Sequence, residues 1–259
     1  MKKPIVGLAL GSGAAKGFAH LGVIKVLVKE NIPINLITGS SIGSVFGALY
    51  AVGTDLFILE KLCASLQQNQ LIDFSVSKLG FIKGNRIEAL LRLLTKNKRF
   101  EDLEIPLYVT AVDIERREKV VLEKGSIAEA LRASISIPGV FQPKYLFDKM
   151  LVDGGVLDRV PVKLAKSKGA DFIIAVDLKN GGITKEFEPV KNTIDIILKS
   201  IDLLEKSNYD DLKEANILLE PKVAHIGPAD FHKAAECIAL GEEEARGVIP
   251  KIKDSLGII

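Results

Sequence analysis

The stretch Ile34-Asn35-Leu36-Ile37-Thr38-Gly39-Ser40-Ser41-Ile42-Gly43-Ser44-Val45-Phe46-Gly47-Ala48-Leu49 joins two apolar runs through a break of glycine and serine. Ile34–Thr38 has the length of a short buried strand, and Ile42–Val52 is long enough for a helix. Gly39–Gly43 between them is a sharp turn of the form G-x-S-x-G. A serine on a tight strand-to-helix turn is held in strained backbone geometry, with its hydroxyl pushed out at the carboxyl end of a sheet. The flanking glycines are needed because a Cβ on either side would collide. The N-terminus of the following helix turns free N–H groups and partial positive charge toward the same spot. Ser41 is therefore a candidate nucleophile. The pentapeptide alone is common, and a glycine-rich packing turn spells the same letters, so its context carries the argument.

Working outward, the same order recurs on both sides. Ile5–Leu10 reads as a buried strand, followed by a glycine-rich turn and a helix over Gly17–Glu30. Further helical patterns cover Leu56–Leu66, Arg86–Thr95 behind an Asn85/Glu88 capping pair, Ser126–Ala133, Pro161–Ser167, Val190–Leu204 and Phe231–Leu256. Pro106–Asp113, Lys119–Leu122, Met150–Val152, Phe172–Asp177 and Ile217–Leu219 read as strands. Residues 70–83 are less regular, and Asn180–Glu186 is a polar surface loop. Strands alternating with helices predict a mostly parallel sheet covered on both faces. The 259 residues suffice for one large α/β domain, expected over 1–259.

Composition narrows the function. The 35 basic and 33 acidic residues nearly cancel, and no Lys/Arg run marks a nucleic-acid surface. Cys63 and Cys237 are too few for a disulfide framework or a zinc site and read as buried small hydrophobes. The apolar run Ile5–Leu10 is too short for a signal-peptide core, and polar and glycine residues interrupt Asn31–Thr54. The expectation is a cytoplasmic protein, compatible with peripheral contact at a membrane surface.

Two more motifs carry chemistry. Gly11-Ser12-Gly13-Ala14-Ala15-Lys16-Gly17 lies between a strand and a helix. As a dinucleotide-binding loop its third glycine falls one place late, although Glu30 stands near where a ribose-binding acid belongs. As a P-loop it has Lys16-Gly17-Phe18 where Gly-Lys-Ser/Thr is required. As an oxyanion hole its N–H groups would stabilise a tetrahedral intermediate, given a nucleophile nearby. Two neighbouring parallel strands would bring this loop and Ser41 out side by side. Asp153-Gly154-Gly155 follows the apolar Met150–Val152, so a carboxylate at a strand end can reach into a site, although an ordinary turn has the same letters.

Taken together, these pieces resemble the small bacterial form of the patatin-like phospholipase family. The resemblance rests on Gly11–Gly17, Gly39–Gly43, Ala133-Ser134 with Pro138 and Phe141, Asp153-Gly154-Gly155, and the continuation through Pro161-Val162. It implies a three-layer α/β/α fold with esterase or phospholipase-A-type activity on fatty-acyl esters, and neither cofactor nor metal. It assigns Ser41 as nucleophile, Asp153 as its base, and the amides of Gly11, Ser12, Gly13, Ala14 and Lys16 as the oxyanion hole. Gly39, Gly43, Gly154 and Gly155 would be structural support. The chain departs from the family pattern at Ser12, where many members have glycine, and at Asp158, where asparagine is frequent.

The rivals are a Ser–His–Asp hydrolase, a nucleotide-binding module on the first glycine loop, and a catalytically silent patatin-like regulatory protein. The first would have to draw its base from His20, His225 or His232. His20 lies in the first helix, and the other two flank Gly227-Pro228 in a polar loop.

Overall fold

A computed structural model of the protein describes residues 3–65, 73, 79–179, 190, 196, 197, 199–201 and 211–258. β1 (Val6–Leu10) leads through a 3-10 turn, Ala14–Gly17, into α1 (Phe18–Lys29), and β2 (Leu36–Ser40) leads into α2 (Ile42–Ala51). α3 (Leu56–Ser65), β3 (Gly80–Ile82) and α4 (Asn85–Leu94) follow, then the hairpin of β4 (Leu107–Asp113) and β5 (Glu118–Leu122). α5 (Ile127–Ser134) precedes three short strands: β6 (Gly139–Phe141), β7 (Lys144–Leu146) and β8 (Lys149–Asp153). α6 (Val162–Ser167), β9 (Phe172–Val176), β10 (Ile217–Leu219) and α7 (Ala234–Leu256) complete the described elements.

The main sheet has the order β10-β9-β1-β2-β4-β8-β7, with β5 also paired to β4. From β10 to β4 every pairing is parallel, and β5, β8 and β7 join antiparallel. β3 and β6 form a separate parallel pair.

Side chains of β1 and β9 alternate between two cores, as strand geometry requires. Val6, Leu8, Leu10, Phe172, Ile174 and Val176 face a large core shared with α1, α2, α5 and α7. Ala9, Ile173 and Ala175 face a smaller one with Val162 and Ala165 of α6. The protein is thus a three-layer α/β/α sandwich with a mostly parallel sheet. Leu21, Ile24 and Leu27 of α1 are buried in the large core, each contributing roughly 1.5–3 kcal/mol. α1 and α7 cross so closely that a Cβ on Gly241 would stand 2.1 Å from Ala19 O, and one on Gly22 2.0 Å from Ile238 O.

β2 runs on to Ser40, so Ser41 follows it directly. The capping pair expected for α4 is replaced: Gly84 precedes the helix, and the amides of Gly84 and Asn85 donate to the Asp73 carboxylate at 2.7 and 2.8 Å. Glu88 instead pairs with Arg92 and Lys144. β3, β6 and β7 were not expected, because three residues carry no readable period. Most of the helix expected near Val190–Leu204, all of the loop Asn180–Glu186 and much of residues 70–83 lie outside the described residues. No described helix is long and apolar enough to cross a membrane.

Candidate active site

The site is built where two strands run toward each other along one edge of β4. β2 pairs with β4 through Ser40↔Thr110, and β8 pairs with it antiparallel from Ala111↔Asp153. β5 covers Val109 to Asp113, overlapping both, so it takes the other edge. The carboxyl ends of β2 and β8 therefore meet at adjacent register positions, Thr110 and Ala111. Ser41 leaves one end and Asp153 closes the other. Ser41 Oγ donates to Asp153 Oδ2 at 2.6 Å, with both residues 5% exposed.

Ser41 has φ 52° and ψ −127°, a region that L residues avoid unless surrounding structure enforces it. Its N–H donates to Ser134 Oγ (2.9 Å), and Ser134 Oγ donates on to Thr110 O (2.7 Å). Its carbonyl accepts from both the N–H and the Oγ of Ser44. The turn is tight enough that a Cβ on Gly43 would stand 2.3 Å from Leu10 O. Gly39, next to last in β2, pairs with Leu10 of β1. Asp153 is fixed as well: its N–H donates to Ser136 O (3.0 Å), and its Oδ1 accepts the Gly155 N–H (2.8 Å). Gly154 and Gly155 begin the 3-10 turn that carries the chain away.

β1 and β2 are parallel neighbours, so the glycine loop emerges beside Ser41. Its amides are not equivalent. Gly11 N–H donates to Val176 O, Ser12 N–H to Arg159 O, and Lys16 N–H to Gly13 O. Ala15 N–H reaches Pro228 O in the segment before α7. Gly13 and Ala14 have no such acceptor among the described residues, and Ala14 is turned to φ 50°. Of the five amides expected to act together, three are engaged within the fold and two are available.

The loop rests on groups whose roles the sequence did not disclose. His20 is fully buried, and its Nε2 donates to Gly11 O at 2.7 Å. Burial pushes its pKa down to about 4, partly opposed by that hydrogen bond, so the ring is neutral. Beneath the loop, Arg159 and Asp177 form a buried ion pair. Cys237 of α7 approaches Ala15 O at 3.7 Å, and burial raises its thiol pKa to about 12. Cys63 is buried likewise. No motif spells these contacts, whose partners stand 9, 18 and 222 residues apart in the chain.

The rival bases stand elsewhere. His225 pairs with Glu236 on the surface at 2.7 Å, and His232 is exposed in a 3-10 turn. Glu30 ends α1, a dozen residues along a helix that leads away from the loop, and binds Lys253 there at 2.9 Å. A ribose-binding acid would have to lie at the carboxyl edge, by the loop. Asp158 is held by Lys119 at 2.9 Å, and burial raises its pKa. Among the described residues no cluster of three His, Cys, Asp or Glu side chains is arranged to hold a metal ion. A groove of about 680 Å³ beside α4, lined by Asn85, Glu88, Arg92, Lys96, Asn97 and Lys144, contains none of the motif residues.

A three-layer α/β/α fold, a strained serine after a central strand and an aspartate on its hydroxyl together define a class of protein with a serine-centred site at the carboxyl edge of its sheet. The patatin-like phospholipase family profile matches residues 8–166, and the chain belongs to that family. It is 37% identical over 191 residues to an uncharacterized NTE family protein of Mycobacterium tuberculosis (strain ATCC 25618 / H37Rv), covering 72% of this chain and 53% of the relative. It is 25% identical over 282 residues to lysophospholipase NTE1 of Pyricularia oryzae, covering 96% of this chain and 19% of that protein. The chain thus spans about half the length of the first of these relatives and a fifth of the second. Among solved structures, VipD from Legionella pneumophila superposes with a TM-score of 0.65 at 15% identity, covering 96% of this chain and 67% of that one. The type III effector protein ExoU gives 0.57 at 16% identity, covering 97% and 54%. These two likenesses concern the fold.

Proposed function

We propose that the chain is a serine acyl-ester hydrolase acting on fatty-acyl esters of phospholipid or lysophospholipid type. The observation that carries this reading is the Ser41 Oγ–Asp153 Oδ2 hydrogen bond at a strained turn beside the glycine loop. Membership of the patatin-like phospholipase family and similarity to a lysophospholipase support the lipid substrate class. Such a substrate is met at a membrane surface, so peripheral contact belongs to the same proposal.

In the reaction Ser41 Oγ attacks the ester carbonyl and Asp153 takes its proton. The amides of Gly13 and Ala14 stabilise the negative oxygen of the tetrahedral intermediate. Gly11, Ser12 and Lys16 hold the shape of the loop, and His20 holds it from below. The intermediate collapses to an acyl-enzyme as the alcohol or lysolipid departs, and water then releases the fatty acid. The dyad needs neither histidine nor cofactor.

The test is hydrolysis of p-nitrophenyl esters and of a lysophospholipid by the chain and its variants. Ser41→Ala and Asp153→Asn should each abolish turnover, by at least about 10³-fold. His225→Ala and His232→Ala should leave it near wild type. Full activity in Asp153→Asn with loss in either histidine variant would overturn the dyad.

A further inference from the structure

Ser12 occupies a position where the family pattern often has glycine, and its side chain has no task in the fold. Its N–H is held by Arg159 O at 2.9 Å, which leaves the hydroxyl as the residue's remaining donor. The residue is 7% exposed, and Oγ is buried with no hydrogen-bond partner. An unpaired buried hydroxyl costs about 1–3 kcal/mol. Native folds keep few of them, and those kept call for an explanation.

Its position supplies one. The point beside Gly155 Cα where a Cβ would stand lies 3.0 Å from Ser12 Oγ and 3.1 Å from Asp153 Oδ1. The two oxygens are therefore within about two hydrogen-bond lengths of each other. Asp153 Oδ2 faces Ser41 and Oδ1 holds the Gly155 amide, and Ser12 stands beside that same carboxylate. Gly13 and Ala14, the available amides, follow Ser12 in the chain.

We propose that the Ser12 hydroxyl binds the oxygen that leaves and then enters the acyl carbon: the ester's alcohol oxygen in acylation and the attacking water in deacylation. This rests on the Ser41–Asp153 reading. In acylation the bond from Ser41 Oγ to the acyl carbon forms and the ester C–O bond breaks. The proton held by Asp153 passes to the departing alcohol oxygen. In deacylation water enters the vacated place and gives a proton to Asp153 as its oxygen bonds the acyl carbon. The bond to Ser41 Oγ then breaks, and that proton returns to Ser41. Microscopic reversibility puts both oxygens in one place beside Asp153. To serve there the Ser12 hydroxyl must turn about its Cα–Cβ bond toward that place, where it gains the partner it lacks at rest. A nitrophenolate departs without a proton, and Asp153 gives the proton it took from Ser41 to bulk water before deacylation begins; acylation by this ester therefore does not need Ser12, whereas deacylation does.

The test compares wild type, Ser12→Ala and Ser12→Gly with p-nitrophenyl butyrate under stopped flow, with fluorophosphonate labelling of Ser41 and thermal melts in parallel. Both variants should label Ser41 at the wild-type rate and release one equivalent of nitrophenol in a burst. Steady turnover should then be roughly tenfold slower than wild type, the effect of one hydrogen bond lost, and Ser12→Ala should have an unchanged or higher Tm because the lost hydroxyl was unpaired. Equal turnover and equal bursts in all three proteins, with Ser41 labelled, overturn the role of Ser12 and leave the dyad standing. A Ser12→Ala protein that melts well below wild type assigns the hydroxyl to structure and overturns the proposal. A wild type that neither labels nor turns over esters overturns both readings.

Discussion

His20 is sealed under the glycine loop with Nε2 on Gly11 O and no partner on Nδ1. Its pKa is about 4 in the folded protein against the ordinary 6.5. Below pH 6.5 the unfolded chain takes up a proton that the folded protein refuses until about pH 4. Stability from this residue is therefore complete above pH 6.5, is lost as pH falls through that window, and changes no further below it. The expected loss is about 3 kcal/mol. Urea melts of wild type and His20→Gln between pH 7 and 4 check it: the difference between the two curves should vary with pH in that sense. The Arg159–Asp177 pair has a simpler signature. Asp177→Asn leaves a buried guanidinium without its carboxylate and should cost about 3 kcal/mol in the same melts. At this scale the two residues that meet were readable, because Ser41 and Asp153 are each marked by the glycines around them. The supports were not. Nothing in the letters says that Arg159 and Val176 carbonyls take the amides of Ser12 and Gly11, leaving Gly13 and Ala14 available.

The elements β2 and β8 meet end to end on one edge of β4, and that meeting places Ser41 against Asp153. The letters showed an apolar run ending in an aspartate but not its direction. An antiparallel β8 is a property of its pairing with β4 and β7, and β7 is too short to show alternation. α5 is what holds this region to the sheet. Ser134 at its end takes the Ser41 amide, and Arg132, 2% exposed, donates to the carbonyls of Lys83, Gly84 and Gln142. Removing that guanidinium leaves three carbonyls short of a donor, so Arg132→Met should cost about 3 kcal/mol. It should also speed hydrogen exchange at the Gln142 amide, which donates to Ile82 O across the small β3–β6 pair. Unchanged exchange there would mean that Arg132 does not tie these elements together. α4 teaches the same lesson about range, since the group that caps it is the Asp73 carboxylate and not the side chain of the neighbouring Asn85.

On the scale of the whole molecule, the fold closes the chain's end over its beginning. α7 crosses α1 at Gly22 and Gly241, and Cys237 meets the turn of the glycine loop. The alternation of strands and helices predicted the layers, but it did not show that the last helix would buttress the first motif. Gly241→Val should force the two helices apart and lower stability by about 1–3 kcal/mol, with ester turnover falling as the loop loses support. Stability and turnover both equal to wild type would show that the crossing does not bear on the site. The central claim concerns Ser41 as nucleophile and Asp153 as its base, and peptide mapping after fluorophosphonate treatment tests it most directly. The account predicts one phosphonyl group per chain, on the peptide carrying Ser41, with labelling suppressed in Asp153→Asn and unchanged in His225→Ala and His232→Ala. A label on any other residue, or full labelling in Asp153→Asn, would contradict it.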